Sequence, residues 1–155
     1  MVSAEAGLRA LGIQLPQAPT PFGAYVEAVQ TGDLLFLSGM LPTENQKPKF
    51  VGRIGKELDG AAGREAARVA ALNALAVARE HLGSLDKVTR VVRLGIYIAT
   101  SGDFFDQPRV ADGASELLKE VFGGADKMPA RLVMGVASLP MGVPIELEVI
   151  LETKP

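Results

Sequence analysis

The 155-residue sequence contains no cysteine and a single histidine, His81. The first absence excludes disulfides, thiolate nucleophiles and zinc–thiolate sites. The second argues against a His-based metal cluster or a Ser-His-Asp triad. Charge is nearly balanced, with 16 Lys and Arg against 18 Asp and Glu, and no basic run occurs. That leaves no electrostatic footprint for nucleic acid, which is not an expected partner. The start, Met1 to Leu15, lacks a basic segment followed by a long apolar core, so no signal peptide is expected. No apolar run approaches the roughly 20 residues that span a bilayer. The expectation is a soluble, cytoplasmic protein without a membrane partner. What is present suits one globular domain: 48% apolar and 22% charged residues argue against disorder.

Residues Ala4–Leu11 suit a short amphipathic helix, and Pro16, Pro19 and Pro21 then impose a stiff, extended connector. Tyr25–Gln30 and Leu34–Ser38 read as strands of a hairpin turned at Thr31-Gly32-Asp33. Pro42 to Leu58 reads as a loop with a short strand at Phe50-Val51. The clearest helix runs from Gly60 to about Leu82, with Asp59 as N-cap and Gly83 as the left-handed residue that ends it. Its inner stripe holds Ala66, Val69, Ala70, Asn73, Leu75, Val77 and Leu82, and its alanines let the axis lie close to a sheet. His81, in the last turn, is expected to face solvent at the negative end of the dipole.

Val88–Ile98 reads as a long strand with Val92, Leu94, Ile96 and Ile98 on one face. Asp106 is placed to cap a second helix through Val110, Ala111, Ala114, Leu117, Leu118 and Val121, which Gly123 ends. Two strands follow, near Arg131–Ala137 and Pro144–Glu152. The order β-β-(β)-α-β-α-β-β predicts an α+β two-layer sandwich, a mixed sheet with both helices on one face. The other face would expose apolar residues such as Val91 and Val133, and a bare apolar sheet face calls for another subunit. No repeat, low-complexity segment or linker divides the chain.

The C-terminal segment carries the chemistry. Pro129-Ala130-Arg131 sets an arginine at the mouth of one strand, and Ile145-Glu146-Leu147-Glu148 sets carboxylates in the next. A guanidinium fork grips a carboxylate with two parallel hydrogen bonds, and a glutamate held in a cleft accepts or delivers a proton. Together they suggest a site for a small carboxylic acid. An edge arginine with two solvated glutamates is the alternative that the pattern leaves open.

Laid in order, several fragments resemble the RidA/YjgF family, also labelled the endoribonuclease L-PSP family. They are Phe22-Gly23-Ala24-Tyr25, Leu35-Phe36-Leu37-Ser38-Gly39, Asn73-Ala74-Leu75, Asp86-Lys87-Val88, Asp103-Phe104, Pro129-Ala130-Arg131, Leu139-Pro140 and Ile145-Glu146-Leu147-Glu148. The resemblance covers about residues 18–152 and suits a longer-chain branch. It makes residues 1–17 an N-terminal extension and 18–155 a RidA/YjgF-like domain. It implies a homotrimer with a chorismate-mutase-like fold and ligand clefts between subunits. The implied activity is cofactor-free hydrolysis of reactive 2-imino and enamine acids to 2-keto acids and ammonia, an imine deaminase with no metal.

By the same resemblance, Arg131 matches the arginine that holds the substrate carboxylate, and Glu146 the glutamate that activates water. Tyr25 and Ser38 match cleft-lining positions, and the backbone N–H of Val133 would donate to the ligand. The chain departs from the usual pattern at Ala24, Met40 and Val133, and the usual asparagine of the second helix is replaced by Ala111 or Asp112. The alternatives are a trimeric carboxylate-binding or regulatory module without efficient turnover and, third, an endoribonuclease or translation inhibitor. If the last two strands form a hairpin, Glu146 lies opposite Ala137 and roughly 20 Å from Arg131 at about 3.3 Å per residue. A shared site, Arg131 of one subunit meeting Glu146 of the next, is therefore expected.

Overall fold

Ser3 accepts a hydrogen bond from the Ala6 amide and starts α1 (Ala4–Ala10) in a computed structural model that describes residues 3–155. Helix α1 is fixed by polar and packing contacts. Glu5 takes both Nε (3.2 Å) and Nη2 (2.7 Å) of Arg79, accepts from the Leu85 amide, and its own amide donates to Asp86. Leu8 is buried in the core, and Gly7 lets the α1 backbone lie against the Val121 carbonyl.

Beyond the proline-rich connector the chain forms β1 (Ala28–Thr31) and β2 (Leu34–Leu37), joined by Gly32-Asp33, with Gly32 at φ +56°. The hairpin is as expected, but β1 starts three residues later than Tyr25, which lies in a bend. The polar stretch folds differently from the expectation. Phe50-Val51 makes no strand; instead β3 (Thr43–Glu44) and β4 (Lys47–Pro48) form a small ribbon. Its two-residue turn places both Asn45 and Gln46 at positive φ, the backbone that a tight hairpin demands.

Helix α2 (Gly60–Leu82) has the caps expected of it: Asp59 accepts from the Ala62 amide, and Gly83 takes φ +84°. Ala66, Ala67, Ala70, Ala71 and Ala74 are buried, so the helix lies low on the sheet. Asn73 belongs to that stripe by position but not by chemistry. Its Nδ2 donates to the Leu41 and Thr43 carbonyls, which clasps the segment after β2 to the helix.

A single 3₁₀ turn leads to β5 (Val88–Ala99); α3 (Gln107–Phe122), β6 (Ala130–Val136) and β7 (Ile145–Thr153) follow. Asp106 stands at the N-cap of α3 without bonding an amide; its carboxylate is turned toward Arg109 instead. The five-stranded sheet runs β1-β2-β7-β5-β6, with α2 and α3 on one face. This is the expected mixed sheet in an α+β fold, with α1 as a third helix.

Two further expectations fail. β6 and β7 do not form a hairpin: both pair with β5, β6 parallel and β7 antiparallel. The segment between them crosses the end of β5 rather than turning back on itself. Val91 is not on the open face; it is buried in the core, because register shifts near Val88–Arg93 add residues to β5. Val133 also faces the helices, packed against the core. The most exposed apolar residues on the open face are Val29, Phe36, Leu132 and Met134, each at least 38% exposed.

Helices α2 and α3 cross with their backbones touching at Gly113, where an added Cβ would strike the Arg64 backbone. Replacing a helical glycine by alanine normally gains about 0.5–1 kcal/mol, whereas overpacking costs about 1–3 kcal/mol. Because the obstacle is backbone, Gly113→Ala should lower stability by about 1–2 kcal/mol. Urea denaturation checks this, and an unchanged midpoint would mean that the helices do not cross there.

Candidate functional site

Ser38 and Gly39 follow β2, and Met40 exchanges two backbone hydrogen bonds with Leu147 (2.8 and 2.9 Å). That bridge lays Ser38-Gly39 beside Glu146 on β7. Ile145 and Leu147 point into the core, so the alternation of the strand turns Glu146 to the opposite face. There its carboxyl group rests on Gly39, where a Cβ would stand 2.9 Å from Glu146 Cδ. A larger residue there would push the carboxyl group aside.

Glu146, Tyr25 and Ser38 share one cavity of about 430 Å³, completed by Phe22, Gly39 and Met141. Tyr25 Oη accepts from the Phe22 amide at 2.9 Å, which leaves the phenol proton free to donate. Ser38 is the converse. Its hydroxyl gives its proton to the Val26 carbonyl at 2.6 Å, so toward the cavity it can only accept. Met141 stands at the rim with φ +58°, a backbone state that costs a non-glycine residue about 1–3 kcal/mol and is concentrated at functional sites.

The two strand glutamates have different surroundings. Glu148 receives Arg93 Nε at 3.1 Å and lies near the Tyr97 hydroxyl, an ordinary ion pair. Glu146 has no hydrogen-bond or ion-pair partner among the described residues, and burial pushes its carboxyl pKa above the usual carboxylate range. A half-buried, unpaired carboxyl group is the one able to exchange a proton with a bound molecule.

Arg131 and Val133 lie elsewhere. Arg131 pairs across the sheet with Leu94, and Glu146 pairs with Tyr97 on the other side of β5. Two strand spacings and three residues along the strand separate their Cα atoms by about 14 Å. They also point to opposite faces, because Arg131 bonds to Asp112 and Ser115 on α3. One chain therefore assembles Tyr25, Ser38 and Glu146 but not Arg131 or Val133. β6 is an edge strand, so alternate N–H groups along it face away from β5.

Of the two residues proposed to replace the asparagine of the second helix, Ala111 is fully buried, and Asp112 is the one that faces the arginine. Neither this pairing nor the role of Gly39 was read from the sequence, although Ser38-Gly39 just after a strand was a usable signal for close approach.

The family described as "YjgF/chorismate mutase-like, putative endoribonuclease" matches residues 5–147. The chain belongs to the RidA/YjgF family. It is 40% identical to protein TCP17 of Trypanosoma cruzi, over 95% of this chain and 92% of that one. It is 33% identical to a 2-iminobutanoate/2-iminopropanoate deaminase of Dermatophagoides farinae, over 88% of this chain and 91% of that one. Among solved structures, Atu1372 of Agrobacterium tumefaciens, of unknown function, superposes with a TM-score of 0.88 at 36% identity, covering 97% of this chain and 92% of that one. Among the described residues, no helix is long and apolar enough to cross a membrane.

The electrostatics of this RidA/YjgF member can be tested without a substrate. Because folding raises the Glu146 pKa, the stability tied to its protonated form is complete below the unfolded pKa and is lost as pH rises through the folded value. Glu146→Gln removes that loss. The variant should melt higher than wild type at neutral pH, with the gap closing in acid. A gap that widens toward acid would show instead that the carboxylate is favourably paired.

Proposed function

We propose that the protein hydrolyses reactive 2-imino and enamine acids to 2-keto acids and ammonia without a cofactor, in clefts between the subunits of a homotrimer. The observation that carries this reading is Glu146, half-buried, unpaired and set against Gly39 in a cavity with Tyr25 and Ser38. The likeness to a relative named as a 2-iminobutanoate/2-iminopropanoate deaminase supports it.

In this reading water adds to the imine carbon as Glu146 takes its proton. Glu146 returns that proton to the nitrogen, the carbinolamine releases ammonia as the carbonyl forms, and an enamine enters the same path once it has tautomerised to the imine. An imine carbon is already electrophilic, so orientation and proton transfer suffice, the latter giving about 10²–10⁴-fold. Tyr25 donates to the ligand, and Ser38 accepts from water or from the imine N–H. Arg131 and the Val133 amide of a neighbouring subunit hold the carboxylate. The opposite faces taken by Arg131 and Glu146 favour this division, and the exposed Phe36, Leu132 and Met134 give a neighbour apolar surface to cover. Soluble cytoplasmic residence belongs to the same proposal.

Freshly generated 2-iminobutanoate and 2-aminoacrylate, followed by keto-acid formation, test turnover directly. Glu146→Gln should lower kcat by about 10²-fold or more with ligand affinity within a few-fold, whereas Glu148→Gln should change kcat little. Binding of keto acids without turnover would leave a carboxylate-binding module. RNA cleavage at low salt would favour the endoribonuclease label.

Mixing tests the shared cleft. Chains carrying Arg131→Ala and chains carrying Glu146→Gln, each inactive alone, should regain partial activity when refolded together. Mixed assemblies that stay inactive, or a fully active monomer, would reject the shared site.

A further inference from the structure

Asp112 and Ser115 lie one turn apart on α3, and both accept from the same nitrogen of Arg131. Nη1 donates to Asp112 Oδ1 at 2.7 Å and to Ser115 Oγ at 3.1 Å. The pair is not sealed: the side chains keep 29% and 40% of their exposure. Arg131 Nε and Nη2 and Asp112 Oδ2 make no hydrogen bond among the described residues. The pair thus offers a fork of donors beside an oxygen that only accepts.

A simple monoanion meets attraction from the guanidinium and repulsion from the carboxylate. A ligand with a carboxylate next to a protonated nitrogen meets attraction at both. Its carboxylate takes the free edge of Arg131, and its N–H⁺ reaches Asp112 Oδ2. We propose that Asp112 determines specificity, making the Arg131 site select 2-iminium acids and their 2-amino analogues over 2-keto acids. The inference rests on the reading of Arg131 as a carboxylate holder and goes beyond it.

Selection of this kind has two consequences for hydrolysis. The protonated imine is the more electrophilic form, so a carboxylate beside its nitrogen holds the substrate in the state that water attacks. The keto-acid product has exchanged N–H⁺ for a carbonyl oxygen, so the same carboxylate repels it and favours its release. Ser115, neutral and bonded to the same Nη1, orients the arginine without discriminating between these ligands.

The test is calorimetric binding of a matched pair, 2-aminobutyrate and 2-oxobutyrate, to the full-length protein. The ammonium of the first stands in for the iminium nitrogen. Wild type should prefer 2-aminobutyrate by roughly fivefold or more, the size of one exposed charge pair. Asp112→Asn keeps the shape and an acceptor for Arg131, and should abolish or invert that preference while tightening 2-oxobutyrate. A merely structural Asp112 would change both affinities together and leave their ratio alone. An unchanged ratio, with binding of both still lost in Arg131→Ala, overturns the specificity role and leaves the carboxylate reading standing. Binding unaffected by Arg131→Ala, or no binding of either ligand by wild type, overturns the carboxylate reading and the specificity role with it.

Discussion

β6 runs parallel to β5, and a parallel neighbour cannot be reached by a tight turn; the chain must cross over, here through α3. That crossover decides where the functional residues stand. It packs α3 against the face from which Arg131 projects, so the arginine meets Asp112 and Ser115 instead of the carboxyl group on β7. It also leaves β6 as an edge strand, with Arg131 near its start and apolar Leu132 and Met134 on the opposite face. That edge is the surface that the neighbouring subunit of the proposed trimer would cover.

The second constraint is close approach at glycine. Gly39 gives Glu146 its seat, and Gly113 and Gly7 let α3 meet α2 and α1 backbone to backbone. These contacts act at different levels. Gly113 brings α3 close enough to bury Val110, Leu117 and Val121 and so sets the height of the helix from which Asp112 reaches Arg131. Gly39 sets the depth of a carboxyl group whose desolvation opposes folding. An unpaired, half-buried carboxylate is a poor stability device, and this marks Glu146 as a candidate for acting on a bound molecule.

Much of this was legible in the sequence where one local rule governed the outcome. Asp59 and Gly83 bounded α2, and Val110 through Val121 followed one helical stripe. The glycine of Thr31-Gly32-Asp33 marked a hairpin. The reading failed where pairing partners are remote. A short connector between β6 and β7 looked like a hairpin because nothing local records that β5 lies between them. The register shifts in β5 have no signature in residues as interchangeable as Val91 and Val92, so Val91 was assigned to the wrong face. Asn73 fitted a helical stripe because periodicity reports burial and not bonding.

The candidate site shows the same division. Tyr25, Ser38 and Glu146 come together through one bridge, Met40 with Leu147, which joins segments more than 100 residues apart. Spacing could not give that bridge, and it took a family resemblance to name the three residues together. Arg131 was singled out as a candidate carboxylate holder from its residue type, and that reading took it alone, without the Asp112 that the fold sets beside it. With Asp112 at 2.7 Å the arginine is half of a dipole, and a dipole discriminates among anions by what lies beside their negative charge. The positive group is then an element of specificity as much as of affinity. In the proposed site, an acid at position 112 changes which charge state of the ligand the cleft favours.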